Sequence, residues 1–145
     1  MKIALATDHA GFDLKEKIKE QLLNQEYEVK DFGALTYDAL DDYPDFITPA
    51  AEFISKNSDY MGIILGGSGQ GEAMAANRVK GIRAAVYYNG PKEIVELSRV
   101  HNNSNILSLG ARFLTFDEAM ETINLWLSTK FEGDRHQRRI EKLDR

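Results

Sequence analysis

The chain has 145 residues, enough for one globular domain, and its 43% hydrophobic and 28% charged content is ordinary for a soluble protein. A formal net charge of −5 argues against nucleic acid as a partner, and the lack of cysteine excludes a disulfide framework, a thiolate nucleophile and a thiolate metal site. The apolar start is shorter than a signal peptide, and no stretch approaches the roughly 18 apolar residues of a membrane span. We therefore expect a cytoplasmic protein that binds neither membranes nor nucleic acid.

Short apolar runs alternate along the chain with stretches of helical spacing. The predicted strands are residues 3–6, 27–29, 61–65, 84–87 and 106–109. The predicted helices cover residues 14–22, 47–54 and 116–127, where apolar side chains recur at intervals of three and four. Pro44 stands where a helix would begin, and Gly33 and Gly81 mark turns.

Strands that alternate with helices are typical of a parallel sheet covered on both faces. With right-handed crossovers, the five strands predict an α/β fold, a doubly wound three-layer αβα sandwich of the Rossmann-like type, as one domain over residues 1–145. The last periodic stretch predicts an extra C-terminal helical arm, about 134–145, that need not pack on its own core. Ligands of such folds bind beyond the carboxyl ends of the strands.

The most informative segment is the glycine loop, residues 66–71, which follows the third strand and reads Gly-Gly-Ser-Gly-Gln-Gly. Without Cβ atoms, its backbone amides can converge on a phosphate or an oxyanion. The loop is not a P-loop, since no Gly-Lys-Ser/Thr ends it, and it lacks the G-x-G-x-x-G spacing of dinucleotide-binding proteins. The structural alternative is a tight strand-to-helix turn in which Ser68 caps the helix.

Glu72 follows the glycine loop at once, and a carboxylate beside an anion-binding loop suits a proton-transfer enzyme. The plainer alternative is a first-turn glutamate that complements the helix dipole. Because the dipole lowers the pKa of a carboxyl group, we expect Glu72 to be ionised at neutral pH unless burial opposes this.

Polar residues flank two other predicted strands. Asp8 and His9 follow the first, His101 and Asn102 precede the fifth, and Arg112 comes after it. We expect these segments to share one cleft with the glycine loop, although a helix cap and a helix-end histidine are the alternatives. A zinc site built from both histidines with nearby carboxylates is conceivable. No close pair such as H-x-x-x-H is present, however, and we predict no metal.

The arm carries two further candidate phosphate ligands, Arg135 and Arg139, because the guanidinium fork matches phosphate oxygens. The two stand four residues apart and so share one face of a helix. An arm that reaches into a neighbouring subunit would explain their distance in sequence from the glycine loop. A solvated terminal helix is the alternative.

Six ordered motifs run through nearly the whole chain. They are Asp8-His9-Ala10-Gly11, Asp42-Tyr43-Pro44, Gly67-Ser68-Gly69-Gln70-Gly71, Ala75-Ala76-Asn77-Arg78 through Gly81-Ile82-Arg83-Ala84, His101-Asn102-Asn103, and Arg135-His136-Gln137-Arg138-Arg139-Ile140. Together they resemble the type B ribose-5-phosphate isomerases, in the family that also holds isomerases of galactose 6-phosphate and allose 6-phosphate. Many members of that family use a cysteine at the position of Gly66 as the base. This chain resembles the other branch, in which a glutamate, here Glu72, takes over.

The resemblance implies an aldose–ketose isomerase of the pentose phosphate pathway that interconverts D-ribose 5-phosphate and D-ribulose 5-phosphate through a cis-enediolate. Glu72 would carry the proton between carbons 2 and 1, while the amides of residues 67–71 hold the oxyanion. Ser68 would manage hydroxyl protons, and His101, with Asp8 close by, would open the furanose ring. No metal or organic cofactor is required.

The resemblance also implies how the phosphorylated sugar is held. Asn102 would orient the sugar, while His9 and Arg112, with Arg135 and Arg139 from a partner subunit, would grip the phosphate. The implied substrate-binding set is Asp8, His9, Tyr43, Gly67, Ser68, Gly69, Gln70, Gly71, Asn102, Arg112, Arg135 and Arg139. The expected assembly is a homodimer with two composite sites, or two dimers paired into a tetramer.

Two alternatives stay open at this point. The first is the same chemistry on a hexose 6-phosphate such as allose or galactose 6-phosphate, because the glycine loop and the arginines say little about sugar length. The second is a non-catalytic phosphate- or nucleotide-binding module. Such a module would need the loop but has no need for Glu72, Asp8 and His101 together.

Overall fold

A computed structural model describes residues 1–144 and contains five strands and six helices. The strands are β1 (Lys2–Thr7), β2 (Glu28–Asp31), β3 (Tyr60–Gly66), β4 (Ala84–Tyr87) and β5 (Ile106–Gly110). The helices are α1 (Phe12–Asn24), α2 (Pro44–Lys56), α3 (Gln70–Ala76), α4 (Glu93–Val100), α5 (Phe116–Ser128) and α6 (Arg135–Ile140). None of these helices is both long and apolar enough to cross a membrane.

The strands form one sheet in the order β2-β1-β3-β5-β4, and every neighbouring pair is parallel. This confirms the predicted doubly wound parallel sheet. The second strand begins one residue later than predicted and continues to Asp31. β2 lies on one side of β1, and β3 lies on the other side. The direction in which the chain adds strands to the sheet therefore reverses between β1 and β3. Ligands of open α/β sheets bind beside the carboxyl ends of such a pair.

Alternate residues of the strands β1, β3, β4 and β5 enter two separate cores, which confirms the three layers. Ile3 and Leu5 of β1 pack with α1 and α5 on one face of the sheet. Ala4 and Ala6 pack with α2 and α3 on the other. Small side chains on the second face let α2 and α3 lie close to the sheet.

A buried ion pair fixes the turn after β2. Lys15 of α1 is fully buried, and its Nζ donates to both carboxylate oxygens of Asp31, at 2.9 and 2.8 Å, and to the carbonyl of Ala34 at 2.6 Å. The Ala34 amide in turn donates to the carbonyl of Thr7 at 2.6 Å. The loop from residue 35 to residue 43 therefore starts from a fixed point beside the end of β1.

The C-terminal arm makes contacts with its own chain, although the sequence did not require this. His136 of α6 is buried, and its ring stacks on that of His101 with the ring centroids 4.4 Å apart. Farther along, the Gly81 amide donates to Asp144 Oδ2 at 2.9 Å. These contacts hold the arm against the segments that lead into β4 and β5.

Candidate active site

The carboxyl ends of β1 and β3 bring Asp8 and the glycine loop together at the point where the strand order reverses. Asp8 is 7% exposed, and its Oδ1 accepts a hydrogen bond from the Ala10 amide at 3.0 Å, which caps a short 3₁₀ turn. Its negative charge is one of the causes that raise the pKa of Glu72. The two carboxyl groups therefore lie within electrostatic reach of each other.

The glycine loop leaves several backbone amides available to an anion. Gly69 has a φ of 80° and precedes α3, so the loop turns sharply in a conformation that favours glycine. Within residues 1–144, the amides of Gly67, Ser68 and Gly69 donate no hydrogen bond. The N-cap residue of α3 is Gly69, so Ser68 does not cap the helix as the structural alternative supposed, although its hydroxyl accepts a long hydrogen bond from the Gln70 amide at 3.3 Å.

Glu72 lies in the first turn of α3, is only 5% exposed, and folds back against the end of β3. A Cβ atom built on Gly66 would stand 1.8 Å from Glu72 Oε1, so the carboxyl group fills the space that any side chain at residue 66 would need. Glycine is therefore the residue that lets this carboxyl group occupy the end of the strand.

Burial opposes the helix dipole at Glu72, which is the exception that the prediction from the sequence allowed for. Burial of the carboxyl group raises its pKa, and the nearby charge of Asp8 raises it further. The only opposing cause is a hydrogen bond from the residue's own backbone. Desolvation outweighs the end of a helix as short as α3, which has seven residues.

Two cationic side chains stand on the same edge as Glu72. The Arg112 amide donates to the Gly67 carbonyl at 3.1 Å, and a Cβ on Gly67 would lie 3.0 Å from Arg112 Nη1. The His9 Nδ1 atom lies 2.6 Å from Asp41 Oδ1, and this hydrogen bond raises the pKa of the imidazole. Arg112 acts on the same pKa in the opposite direction, which places both cations in one neighbourhood.

Tyr43 borders the other side of the glycine loop. A Cβ atom on Gly71 would lie 2.8 Å from the Tyr43 hydroxyl oxygen. Gln70 is exposed at the start of α3. The chain thus assembles Asp8, His9, Tyr43, Arg112, Glu72 and the whole glycine loop at one edge of the sheet.

His101 and Asn102 lie at the opposite edge, so the prediction of one shared cleft within the chain is wrong. His101 follows the last residue of α4, and its backbone N–H bonds to the Leu97 carbonyl at 2.9 Å. The segment 101–105 leads into the amino end of β5, where the Gly62 amide donates to the Asn105 carbonyl. The five-residue strand β5 separates the two edges by about 16 Å.

Arg135 and Arg139 lie near His101 and far from the glycine loop. Both are exposed on α6, which confirms that a helix carries them one turn apart. Arg83 holds the adjoining turn, because its Nε donates to the carbonyls of Asn102 and Asn103 at 3.1 and 2.9 Å. The second edge is therefore an ordered, basic surface.

Two groups of potential metal ligands occur in the described chain, and neither is the set conceived from the sequence. One comprises Asp8, His9 and Asp41, and the other His101, Glu132 and His136. In the first, His9 and Asp41 already bond to each other. In the second, the two imidazoles stack on each other with 19° between their planes.

Sequence reasoning missed two residues of these surfaces, Asp41 and His136. Asp41 precedes the motif that begins at Asp42, yet it is Asp41 whose side chain turns inward, with 8% exposed. His136 lies inside the basic motif of the arm but is buried beneath the arginines. No spacing rule distinguishes an inward from an outward side chain in such short irregular segments.

Comparison with known proteins gives a family. The Ribose/Galactose Isomerase family model matches residues 3–143. The probable ribose-5-phosphate isomerase B of Mycoplasma genitalium is 44% identical over 99% of this chain and 93% of its own length. The ribose-5-phosphate isomerase B of Mycobacterium tuberculosis is 42% identical, over 99% of this chain and 88% of its own.

Solved structures agree with the family match. A crystal structure of ribose-5-phosphate isomerase B from Mycoplasma genitalium with bound ribulose-5-phosphate superposes with a TM-score of 0.92 at 43% identity, covering 98% of this chain and 93% of that one. The Thermotoga maritima enzyme gives a TM-score of 0.92 at 44% identity, with 99% and 97% covered. The resemblance read from the six motifs is confirmed, and the chain belongs to the Ribose/Galactose Isomerase family.

Proposed function

We propose that this protein is an aldose–ketose isomerase that interconverts D-ribose 5-phosphate and D-ribulose 5-phosphate through a cis-enediolate. The observation that carries the proposal is the buried carboxyl group of Glu72, held against Gly66 beside the free amides of the glycine loop. A base next to preorganised oxyanion donors is what enediolate chemistry needs. The ribulose-5-phosphate bound to the Mycoplasma genitalium relative supports the choice of substrate.

Glu72 acts as the base in the first half-reaction and, once protonated, as the acid in the second. It removes the proton from carbon 2 of the open-chain aldose, the C–H electron pair forms the C1–C2 double bond, and negative charge passes to oxygen 1. A proton moves from oxygen 2 to oxygen 1 with the help of Ser68. Glu72 then returns its proton to carbon 1 as the carbonyl forms at carbon 2. The raised pKa of Glu72 suits this task, because a base is most effective when its pKa lies near the working pH.

The amides of Gly67, Ser68 and Gly69 stabilise the enediolate oxygen. A donor of this kind contributes about 3 kcal/mol where it is aimed at the developing charge. Base and donors suffice for the proton shift, so the proposed reaction needs no metal ion or organic cofactor. His9 and Arg112, on the same edge, bind the phosphate group.

The remaining groups come from a second copy of the chain. His101 opens the furanose ring, Asn102 orients the sugar, and Arg135 and Arg139 complete the phosphate site, but all four lie on the opposite edge of their own chain. In a two-fold dimer, the edge of each subunit that carries His101 can face the edge of its partner that carries Glu72. The sequence suggested this route for the arginines alone, and the proposal extends it to His101 and Asn102.

An exposed apolar surface supports self-association. Met74, Tyr88 and Ile94 are 59%, 44% and 52% exposed, and they line a groove of about 540 Å³ beside the edge strand β4. Apolar side chains grouped in this way are typical of an interface between proteins. The proposal therefore includes a homodimer, and a pair of such dimers would keep the same sites. It also places the enzyme in the cytoplasm and in the pentose phosphate pathway.

Glu72→Gln is expected to stabilise the fold at neutral pH. The pKa of Glu72 is higher in the folded chain than in the unfolded chain. As pH increases, the unfolded chain therefore loses this proton first, and the free energy of unfolding falls. The fall continues until the pH exceeds the pKa of the folded state. Glutamine removes this loss of stability. We expect Tm to rise by about 3 °C at about pH 7.5 and to be unchanged at about pH 3, well below the ordinary pKa of glutamate, where both states are protonated. A Tm that falls equally at both pH values in calorimetry would contradict a desolvated carboxylate.

Gly66→Ala is expected to remove activity without unfolding the protein. The new methyl group would displace the flexible end of Glu72, and misplacing a base by about 1 Å costs on the order of a hundredfold in kcat. We expect KM and circular dichroism to stay near wild type. As a control, the same change made in Glu72→Gln should cost nothing further, and an additional loss there would show that Gly66 acts through another group.

Mixed dimers test the shared site. His101→Asn and Glu72→Gln subunits, each nearly inactive on ribose 5-phosphate alone, should regain about one quarter of wild-type activity when coexpressed, because half of the random dimers carry one intact site of two. Glu72→Gln mixed with Asp8→Asn is the matched control, since both residues lie on the same edge and no intact site forms. Equal activity in the two mixtures would contradict a site built across the dimer.

A further inference from the structure

Asp41 has a buried carboxylate whose hydrogen bonds both come from one residue, His9. It lies in the loop between β2 and α2, with 8% of its side chain exposed. Its Oδ1 accepts two hydrogen bonds from His9, one from the backbone amide at 3.0 Å and one from the ring at Nδ1 at 2.6 Å. Its Oδ2 is buried and has no hydrogen-bond partner in residues 1–144. His9 is therefore the residue that pairs with the negative charge of Asp41.

We propose that Asp41 is a positioning residue that keeps His9 protonated and turns its Nε2–H toward the phosphate of the substrate. This inference rests on the proposed function, because it assigns a task within that phosphate site. Asp41 belongs neither to the six motifs that carry the family resemblance nor to the substrate-binding set that the resemblance implies.

The hydrogen bond fixes the orientation of the imidazole. With Nδ1 bound to Asp41, the ring can present only Nε2 to a ligand, on the far side from the carboxylate. The backbone bond from His9 to the same oxygen prevents the carboxylate from following the ring if the ring rotates. Tyr37 meets the ring edge to face, with 6.1 Å between centroids, and closes a third side.

Charge favours the imidazolium form. The groups that face His9 are Asp41 and Tyr37 from the loop, Asp8 from its own turn, and Arg112 from the segment after β5. The hydrogen bond to Asp41 is the largest cause of the raised pKa of His9, and Asp8 adds to it. Partial burial and Arg112 act in the opposite direction. Without Asp41, the adjacent guanidinium would favour the neutral ring and leave Arg112 as the main cation on this edge.

The consequence concerns the pH range of substrate binding. A sugar phosphate carries most of its second negative charge above about pH 6, where an ordinary histidine loses its own positive charge. Asp41 extends the cationic state of His9 into that range, so that a dianionic phosphate meets two cations of the same subunit. A neutral amide at residue 41 could keep the loop in place but could not hold this charge.

The test compares Asp41→Asn with wild type across pH. We expect the variant to bind ribose 5-phosphate and inorganic phosphate almost normally at about pH 5.5, and about tenfold more weakly at about pH 8, with kcat changed much less than KM. Asp38→Asn is the matched control, because Asp38 is an exposed aspartate of the same loop whose side chain accepts a hydrogen bond only from the Leu40 amide. It should behave as wild type at every pH.

A double-variant cycle separates positioning from mere support of the loop. If Asp41 acts through His9, then Asp41→Asn should not weaken phosphate binding further in a His9→Asn background. A loss of affinity that is equal at all pH values, or that persists without His9, would overturn the proposal. Calorimetry with inorganic phosphate measures this affinity without turnover. A wild-type protein without isomerase activity would refute the proposed function, but the calorimetry would still show whether Asp41 acts on phosphate binding through His9.

An NMR titration of His9 in the wild-type protein completes the test even if the variants fold poorly. We expect the His9 ring, assigned by its loss in His9→Asn, to stay protonated to a pH above the ordinary value of about 6.5. A midpoint at or below that value would overturn the proposal.

Discussion

The active site depends on one steric constraint, which is that the carboxyl group of Glu72 occupies the space of a missing side chain at residue 66. Glycine at that position lets the carboxyl group lie against the end of β3, away from water and beside unpaired amides. Burial then raises its pKa toward the range in which a carboxylate can both take and return a proton. In relatives with a cysteine at this position, the base would occupy the same place from the strand itself, so the two arrangements exclude each other in space.

A second constraint follows from parallel topology. Residues after a strand and residues before it lie at opposite edges of the sheet, and the proposed site draws on both. Asp8, Glu72 and Arg112 stand at one edge, while His101 and the arm stand at the other. The stacking of His136 on His101 orders the second edge in a single chain. Under the proposed function, each subunit would contribute two different half-sites, and this is why the proposal includes a symmetric partner.

The sequence predicted the features that depend on local pattern. The five strands, the glycine loop and the helical placement of Arg135 and Arg139 follow from periodicity and spacing, which are local properties. The direction of the pKa shift of Glu72 stayed conditional on burial, because burial is a tertiary property that no spacing reveals. His101 lies outside the predicted cleft because a residue that precedes β5 stands at the amino end of that strand, across the sheet from its carboxyl end. The direction of Asp41 depends on how an irregular loop closes over β1, and only the structure supplies that.

The most direct test of the account is proton exchange with solvent at the carbon atoms of the substrate. Ribulose 5-phosphate incubated in deuterium oxide with the wild-type protein should incorporate deuterium at carbon 1, as followed by NMR. With Glu72→Gln, which should still bind the phosphate, this exchange should fall by at least about a hundredfold. Exchange at the wild-type rate in that variant would contradict the central claim that Glu72 carries the proton.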